Sequence, residues 1–165
     1  MAISYHSLMK VYLGADHRGF KMKEELQEWL ARLDLGSGEV KYEVEDCGAR
    51  ELDKDDDYVE YAYKVAEKVN DGEEGRGIVL CGSGVGVEVV VNKIDGVRGG
   101  LGLNAEQVRA ARRDDDINVL AIAADFTSFN LVKEMVEVFL GTEFSGEERH
   151  VRRLRKIQNL ESELE

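Results

Sequence analysis

Cys81 ends the apolar run Gly77-Ile78-Val79-Leu80 and opens a turn in which glycine recurs at 82, 84 and 86, with Ser83 between the first two. Residues of these types in this order can do two kinds of chemistry. A thiol beside converging backbone N–H groups at a helix start is more acidic than a free thiol, and serves as a base or nucleophile. The same N–H groups bind anions and stabilise negative charge as it develops. A small buried cysteine packed beside a tight turn is the other reading, and the segment alone does not choose. A dinucleotide fingerprint needs G-x-G-x-x-G, and a nucleophile elbow needs G-x-S-x-G. Neither spacing is met, and the lysine of a Walker loop is missing. Farther on, Arg149 and Arg153 stand one helical turn apart in "ERHVRRLRK", a basic island in an acidic chain, and can face one oxyanion together.

These residues must be positioned by regular elements, and the apolar periodicity supplies them. Val11 to Ala15 reads as a buried strand ending at Asp16, and Met22, Leu26, Trp29, Leu30 and Leu33 recur at helical spacing. A second strand is expected around 40–44. Tyr58, Tyr61, Ala62, Val65, Ala66 and Val69 form one helical stripe over 56–70. The alternation continues with strands at 77–81, 97–103 and 118–124, helices at 84–94, 105–113 and 127–140, and a last helix at 147–163. Alternating strands and helices imply parallel βαβ units with right-handed crossovers. The expected fold is therefore α/β: a doubly wound, five-stranded parallel sheet of Rossmann-like type in a three-layer sandwich, with a C-terminal tail helix. One domain spans 1–165, with an N-terminal arm at 1–9. Ligands in such sheets sit at the carboxyl ends of the strands. That rule selects Asp16-His17, Asp46 to Gly48, Cys81 to Gly86, Leu103-Asn104 and Asp125. The acidic run Glu51 to Asp57 reads as a solvated loop.

Composition narrows the function classes. A net charge of −12 over 165 residues argues against a nonspecific nucleic-acid or membrane binder. No apolar run approaches the ~20 residues that span a bilayer. The opening "MAISYHSLMK" has too little apolar length for a signal peptide. Two cysteines, Cys47 and Cys81, lie far apart without metal-type spacing, which points to a reducing, cytoplasmic setting.

"GADHRGFKMKEELQEWL" at the first strand–helix junction, "GIVLCGSGVGV…NKIDGVRGG" in the middle and "ERHVRRLRK" near the end resemble the type B ribose-5-phosphate isomerases. That sugar-phosphate isomerase family also holds the galactose-6-phosphate isomerase subunits, and the likeness runs from about residue 10 to 157. It implies an aldose–ketose isomerase working through an enediol without metal or cofactor. Cys81 matches the base that moves a proton between C1 and C2, and Ser83 matches a hydroxyl that assists at the enediolate oxygen. Gly82, Gly84 and Gly86 match the turn around the substrate. Asp16 and His17 match a D-H pair contacting substrate hydroxyls and ring. Asp57-Tyr58 resembles a D-Y-P, with Val59 for proline; Tyr58 would touch substrate, although it also fits the buried stripe of its helix. Arg149 and Arg153 match an R-H-x-x-R that grips phosphate. A glutamate base used by another branch would fall at Val87, so Glu88 is one place late. A homodimer or tetramer with active sites shared between copies is implied, with the tail helix packed at the interface.

Two positions depart from the family pattern. The ring-opening histidine–asparagine pair aligns with Asp114 and Asp115: Asp114 can take over ring opening, with Asp115 contacting substrate, if the Asp114 pKa is raised, and the alternative is a pair of ordinary helix-end carboxylates with ring opening left to His17 or to solution. Crowding by Asp115 and Asp116 is expected to raise the Asp114 pKa toward a useful range. The phosphate-binding arginine after the fifth strand aligns with Asp125, leaving Arg149, Arg153 and Arg112 or Arg113 to bind the anion. Ribose 5-phosphate is the default substrate. Another sugar or sugar phosphate, such as a hexose 6-phosphate, and a noncatalytic binding subunit of a hetero-oligomer are the alternatives.

Overall fold

The computed structural model describes residues 9–33, 42–71 and 75–163. Strands β1 (Met9–Ala15), β2 (Tyr42–Asp46), β3 (Gly75–Cys81), β4 (Gly99–Leu101) and β5 (Val119–Ala123) alternate with helices α1 (Phe20–Arg32), α2 (Tyr58–Asn70), α3 (Val85–Val91), α4 (Ala105–Asp115) and α5 (Phe129–Gly141). Helix α6 (Glu148–Glu163) closes the chain. All pairings are parallel, in the order β2-β1-β3-β5-β4. The expected doubly wound α/β sheet is therefore present, with its C-terminal helix. The expected arm at 1–9 and the first residues of the strand at 40–44 fall largely outside the described residues.

Side chains alternate across the sheet as the strand period of two requires. Val11, Leu13, Ala15, Ile78, Leu80, Leu120 and Ile122 face one layer, with Leu26 and Leu30 of α1, Val108 of α4 and Val132, Met135 and Phe139 of α5. Tyr12, Val79, Cys81, Val119 and Ala121 face the other, with Ala62, Val65 and Val69 of α2 and Val87 and Val91 of α3. Each fully buried Leu or Ile contributes about 1.5–3 kcal/mol. The chain leaves β1 toward β2 on one side and returns to β3 on the other. Strands β1 and β3 thus flank the switch point where such sheets bind ligands.

Two elements are shorter than their periodicity suggests. Strand β4 has three residues where seven were expected, because the Arg98 N–H goes to Asn118 Oδ1 (2.7 Å) and the Leu103 N–H to Gln107 Oε1 (3.1 Å). Its outward backbone groups bond to helix side chains. Asn92 accepts from the Gly99 N–H at 2.9 Å and donates to its carbonyl at 3.0 Å. Glu88 Oε1 accepts from the Leu101 N–H at 3.0 Å, and Gln107 Nε2 donates to the Leu101 carbonyl at 3.1 Å. Helix α3 ends at Val91 rather than 94, where Lys93 and Ile94 turn back in tight bonds to Val90 and Val91.

Candidate active site

The carboxyl ends of β1, β3 and β5 carry one cluster. Cys81 is the last residue of β3 and is 4% exposed. The chain turns sharply after it because Gly84 takes φ +73°, a backbone form that costs a side-chain-bearing residue about 1–2 kcal/mol. A β-carbon at Gly84 would also lie 2.6 Å from Leu101 Cδ1 and 2.9 Å from the Ala123 nitrogen. The resulting conformation points the Gly84 N–H at Cys81 Sγ, 3.2 Å away. The Ser83 side chain is exposed, with its hydroxyl 3.4 Å from the Val85 nitrogen, and the Tyr58 ring lies against Gly86. Tyr58 is 36% exposed, so it stands at the rim and not in the buried stripe. Asp57 below it caps α2, accepting from Val59 N–H at 3.2 Å.

Asp16 and His17 follow β1, directly beside Cys81. The Asp16 carboxylate is buried and accepts from the Arg18 and Gly19 N–H groups, both at 3.0 Å, which fixes the loop. His17 Nδ1 lies 2.7 Å from Asp56 Oδ1, which also accepts from the His17 backbone N–H at 3.0 Å. An ionised carboxylate only accepts, so Nδ1 carries the hydrogen and Nε2 is left for other work. The Asp56 side chain is 5% exposed, and its Oδ2 has no hydrogen-bond partner among the described residues. Burial, and next the Asp56 charge, raise the phenol of neighbouring Tyr61 above its ordinary value. Asp56 therefore leaves the solvated loop expected at 51–57. Nothing in the acidic run distinguishes it from Asp55 or Asp57, and its partner is 39 residues away. Arg18 is a second residue that sequence reasoning missed: its Nη2 donates to Asp125 Oδ2, bridging the ends of β1 and β5. The aspartate at position 125 is thus neutralised locally.

Glu88, the candidate base if Cys81 were not one, is committed to the Leu101 N–H and turned toward β4.

The remaining candidates gather at the opposite, amino end of the sheet. Asp114 and Asp115 end α4, just before β5 begins. Asp114 pairs with Arg113 Nε at 2.7 Å. That hydrogen bond holds its carboxyl below the ordinary range, aided by the charges of His150 and Arg149 and opposed by desolvation. This corrects the expectation that carboxylate crowding would raise it: an adjacent guanidinium outweighs like-charge neighbours. His150 is buried, 2.7 Å from Ser145 Oγ through Nδ1 and 3.8 Å from Asp114. Arg149 pairs with Glu147 at 2.9 Å on the surface of α6, and Arg153 is exposed on the same helix. Arg112 is not available to a ligand. It is buried and bonds to Asp116 (2.8 Å), the Ile117 carbonyl (2.5 Å) and the Thr142 carbonyl (3.1 Å). Within one chain the topology keeps Asp114, Asp115, Arg149 and Arg153 apart from Cys81, Ser83, Asp16 and His17. Along the outer face of α2 and α3, Val59, Tyr63, Val85 and Val89 are exposed. Ile157 and Leu160 are exposed on α6.

The model of the ribose/galactose isomerase family matches residues 11–157. A solved ribose-5-phosphate isomerase B of Clostridium thermocellum is 34% identical, with a TM-score of 0.87 over 95% of this chain and 100% of that one. The enzyme of the same name from Mycoplasma genitalium, solved with bound ribulose 5-phosphate, is 32% identical, with a TM-score of 0.86 over 96% and 99%. A 4-deoxy-4-sulfo-D-erythrose isomerase of Clostridium sp. (strain MSTE9) is 35% identical over 83% of this chain and 82% of its own.

Proposed function

Because the chain belongs to the ribose/galactose isomerase family, and is therefore an aldose–ketose isomerase of sugar phosphates, we propose that it interconverts ribose 5-phosphate and ribulose 5-phosphate with Cys81 as the base. The observation that carries this is the Cys81 thiol at the carboxyl end of β3, facing the Gly84 N–H beside Asp16 and His17. The reaction is an internal redox exchange and balances without another reactant. The Cys81 thiolate takes the C2 proton of the open-chain aldose, and the electron pair moves to the C1 oxygen. The C2 hydroxyl then gives its proton to the C1 oxygen as the C2 carbonyl forms, and the thiol returns its own proton to C1. Ser83, exposed at the turn, donates to the enediolate oxygen. His17, oriented by Asp56, presents Nε2 to the sugar hydroxyls. Asp16 holds the loop that carries it.

The site is completed by a second copy. The amino-end group of Asp114, Asp115, Arg149 and Arg153 approaches the partner's Cys81 turn, with the two arginines on the phosphate. The exposed apolar residues of α2, α3 and α6 support such an assembly. A second reading is favoured by one observation: Asp114, held ionised, is a poor acid for protonating a ring oxygen. A sugar anion that cannot form a ring would need no such acid, and the 4-sulfo-erythrose isomerase among the relatives is named for a tetrose of that kind. Turnover of ribose 5-phosphate in deuterium oxide, with NMR of label at C1 of the product ketose and C2 of the recovered aldose, tests the first reading. No conversion by the purified protein, together with conversion of a tetrose 4-phosphate, would establish the second.

A further inference from the structure

The carboxyl-end cluster is crowded with acid: Asp16, Asp56, Asp57 and Asp125 all lie around the Cys81 turn, in a chain of net charge −12. An anionic substrate approaching this rim needs a cation there. Arg18 supplies one. Its side chain is 53% exposed, and the guanidinium rests on Gly82: a β-carbon there would overlap the guanidinium carbon and Nε, and would come 2.6 Å from Nη1. Gly82 is thus the platform on which the guanidinium lies, one residue from the thiol. Asp125 is tied to the same platform, because its N–H donates to the Gly82 carbonyl at 3.1 Å. The ion pair engages only Nη2, so Nε and Nη1 keep donors that have no described partner.

We propose that Arg18 binds the terminal oxyanion of the substrate on the Cys81 side, and that Asp125 is the positioning residue that holds its guanidinium over Gly82. This rests on the reading of the site as a sugar-phosphate isomerase. The guanidinium fork presents paired donors to a tetrahedral oxyanion, phosphate or sulfonate alike. Asp125 competes with the ligand for the same guanidinium, so its charge sets how strongly an anion is drawn in. The specificity of the pocket for the charge on the sugar's last carbon then depends on the pair, and not on Arg149 and Arg153 alone.

The test is calorimetric binding of ribitol 5-phosphate, which cannot isomerise, and of inorganic phosphate, to the full-length protein and its variants. Arg18→Gln weakens both by about 10–100-fold, the size of a lost charge-assisted contact, while ribitol affinity is unchanged. Asp125→Asn, whose amide oxygen still accepts from Nη2 and keeps the guanidinium over Gly82, tightens both by roughly 3–10-fold because the competing charge is gone; loss of binding in Asp125→Ala alone would then report the positioning role. The transplant Arg18→Gln/Asp125→Arg, which moves the cation from β1 to β5, recovers most of the loss. Unchanged phosphate affinity in Arg18→Gln, or no binding of either probe by the wild-type protein, overturns the proposal. Arg18-dependent binding without turnover of ribose 5-phosphate leaves it standing and refutes the substrate assignment instead.

Discussion

The two ends of the sheet hold the same residue types and use them differently. At the carboxyl end, the Asp16 and Asp56 side chains are buried, and each commits Oδ1 to backbone N–H groups or an imidazole. At the amino end, Asp114 and Arg149 sit in ion pairs open to water. Buried, hydrogen-bonded carboxylates fix geometry, whereas exposed pairs exchange partners at little cost. Exposed pairing is thus the rule for Asp114 and Arg149 at the amino end, whereas at the carboxyl end it is confined to Arg18 and Asp125 at the rim.

The largest effect expected from this contrast is at the thiol. Cys81→Ala lowers kcat by about 10³-fold with little change in melting temperature or in ligand affinity, because alanine fills the turn but accepts no proton. Retention of most of kcat would erase the chemical distinction between the ends. A mixing experiment sharpens it. If a working site joins one end from each copy, inactive Cys81→Ala and a low-activity Arg149→Ala/Arg153→Ala protein regain about a quarter of wild-type activity after subunit exchange, since half the dimers carry one intact site. Absence of recovery despite verified exchange would confine each site to one chain. Taken singly, Arg149→Ala and Arg153→Ala raise KM by about 10–100-fold and spare kcat. A fall in kcat matching that of Cys81→Ala would give the amino end a chemical role.

A smaller effect is expected at Asp114. Its carboxyl is already ionised at neutral pH, so Asp114→Asn changes turnover of the cyclic substrate by about threefold or less and leaves the pH–rate profile between 6 and 8 in place. His17→Asn slows the cyclic form more, and a tenfold loss in Asp114→Asn would reverse that ranking. The sign for stability follows from the same depression. The contribution of the Arg113 contact is present above the unfolded aspartate pKa and disappears as pH falls through the lower folded one.

The smallest effect compares the two thiols. Burial, then Glu45, pushes Cys47 up to about 11. The folded state therefore holds a proton that the unfolded state releases first, and stability declines as pH rises from about 9 to 11. For a partly exposed group the loss is no more than about 2 kcal/mol. Urea unfolding across that range shows the decline in the wild type and a shallower one in Cys47→Ala; equal slopes would mean that Cys47 titrates normally.

Legibility in the sequence followed the range of the interactions. Strands and helices come from local periodicity, and the parallel sheet with ligands at its strands' carboxyl ends from their alternation, so Cys81 and His17 were readable as candidates, while the strand order that makes β1 and β3 neighbours was not. Asp56 and Arg18 were not, because each is defined by a partner 39 or 107 residues away. Tyr58 fitted a helical stripe in its spacing but is the first residue of α2, and its ring rests against Gly86 and not against the sheet. The charge state of Asp114 was misjudged because its neighbours in sequence were counted as acids, while the side chain that reaches it is the arginine one residue before.

The short strand β4 has a consequence for how the protein behaves when crowded with copies of itself. It forms one margin of the sheet, and an open margin is where a foreign strand docks and fibrils or aggregates begin. Here the two outward N–H groups and two outward carbonyls of Gly99 and Leu101 are each occupied by Asn92, Glu88 or Gln107. A strand arriving at this margin finds no vacant donor or acceptor on those residues. The three side chains thus act as stoppers on sheet growth at the β4 margin.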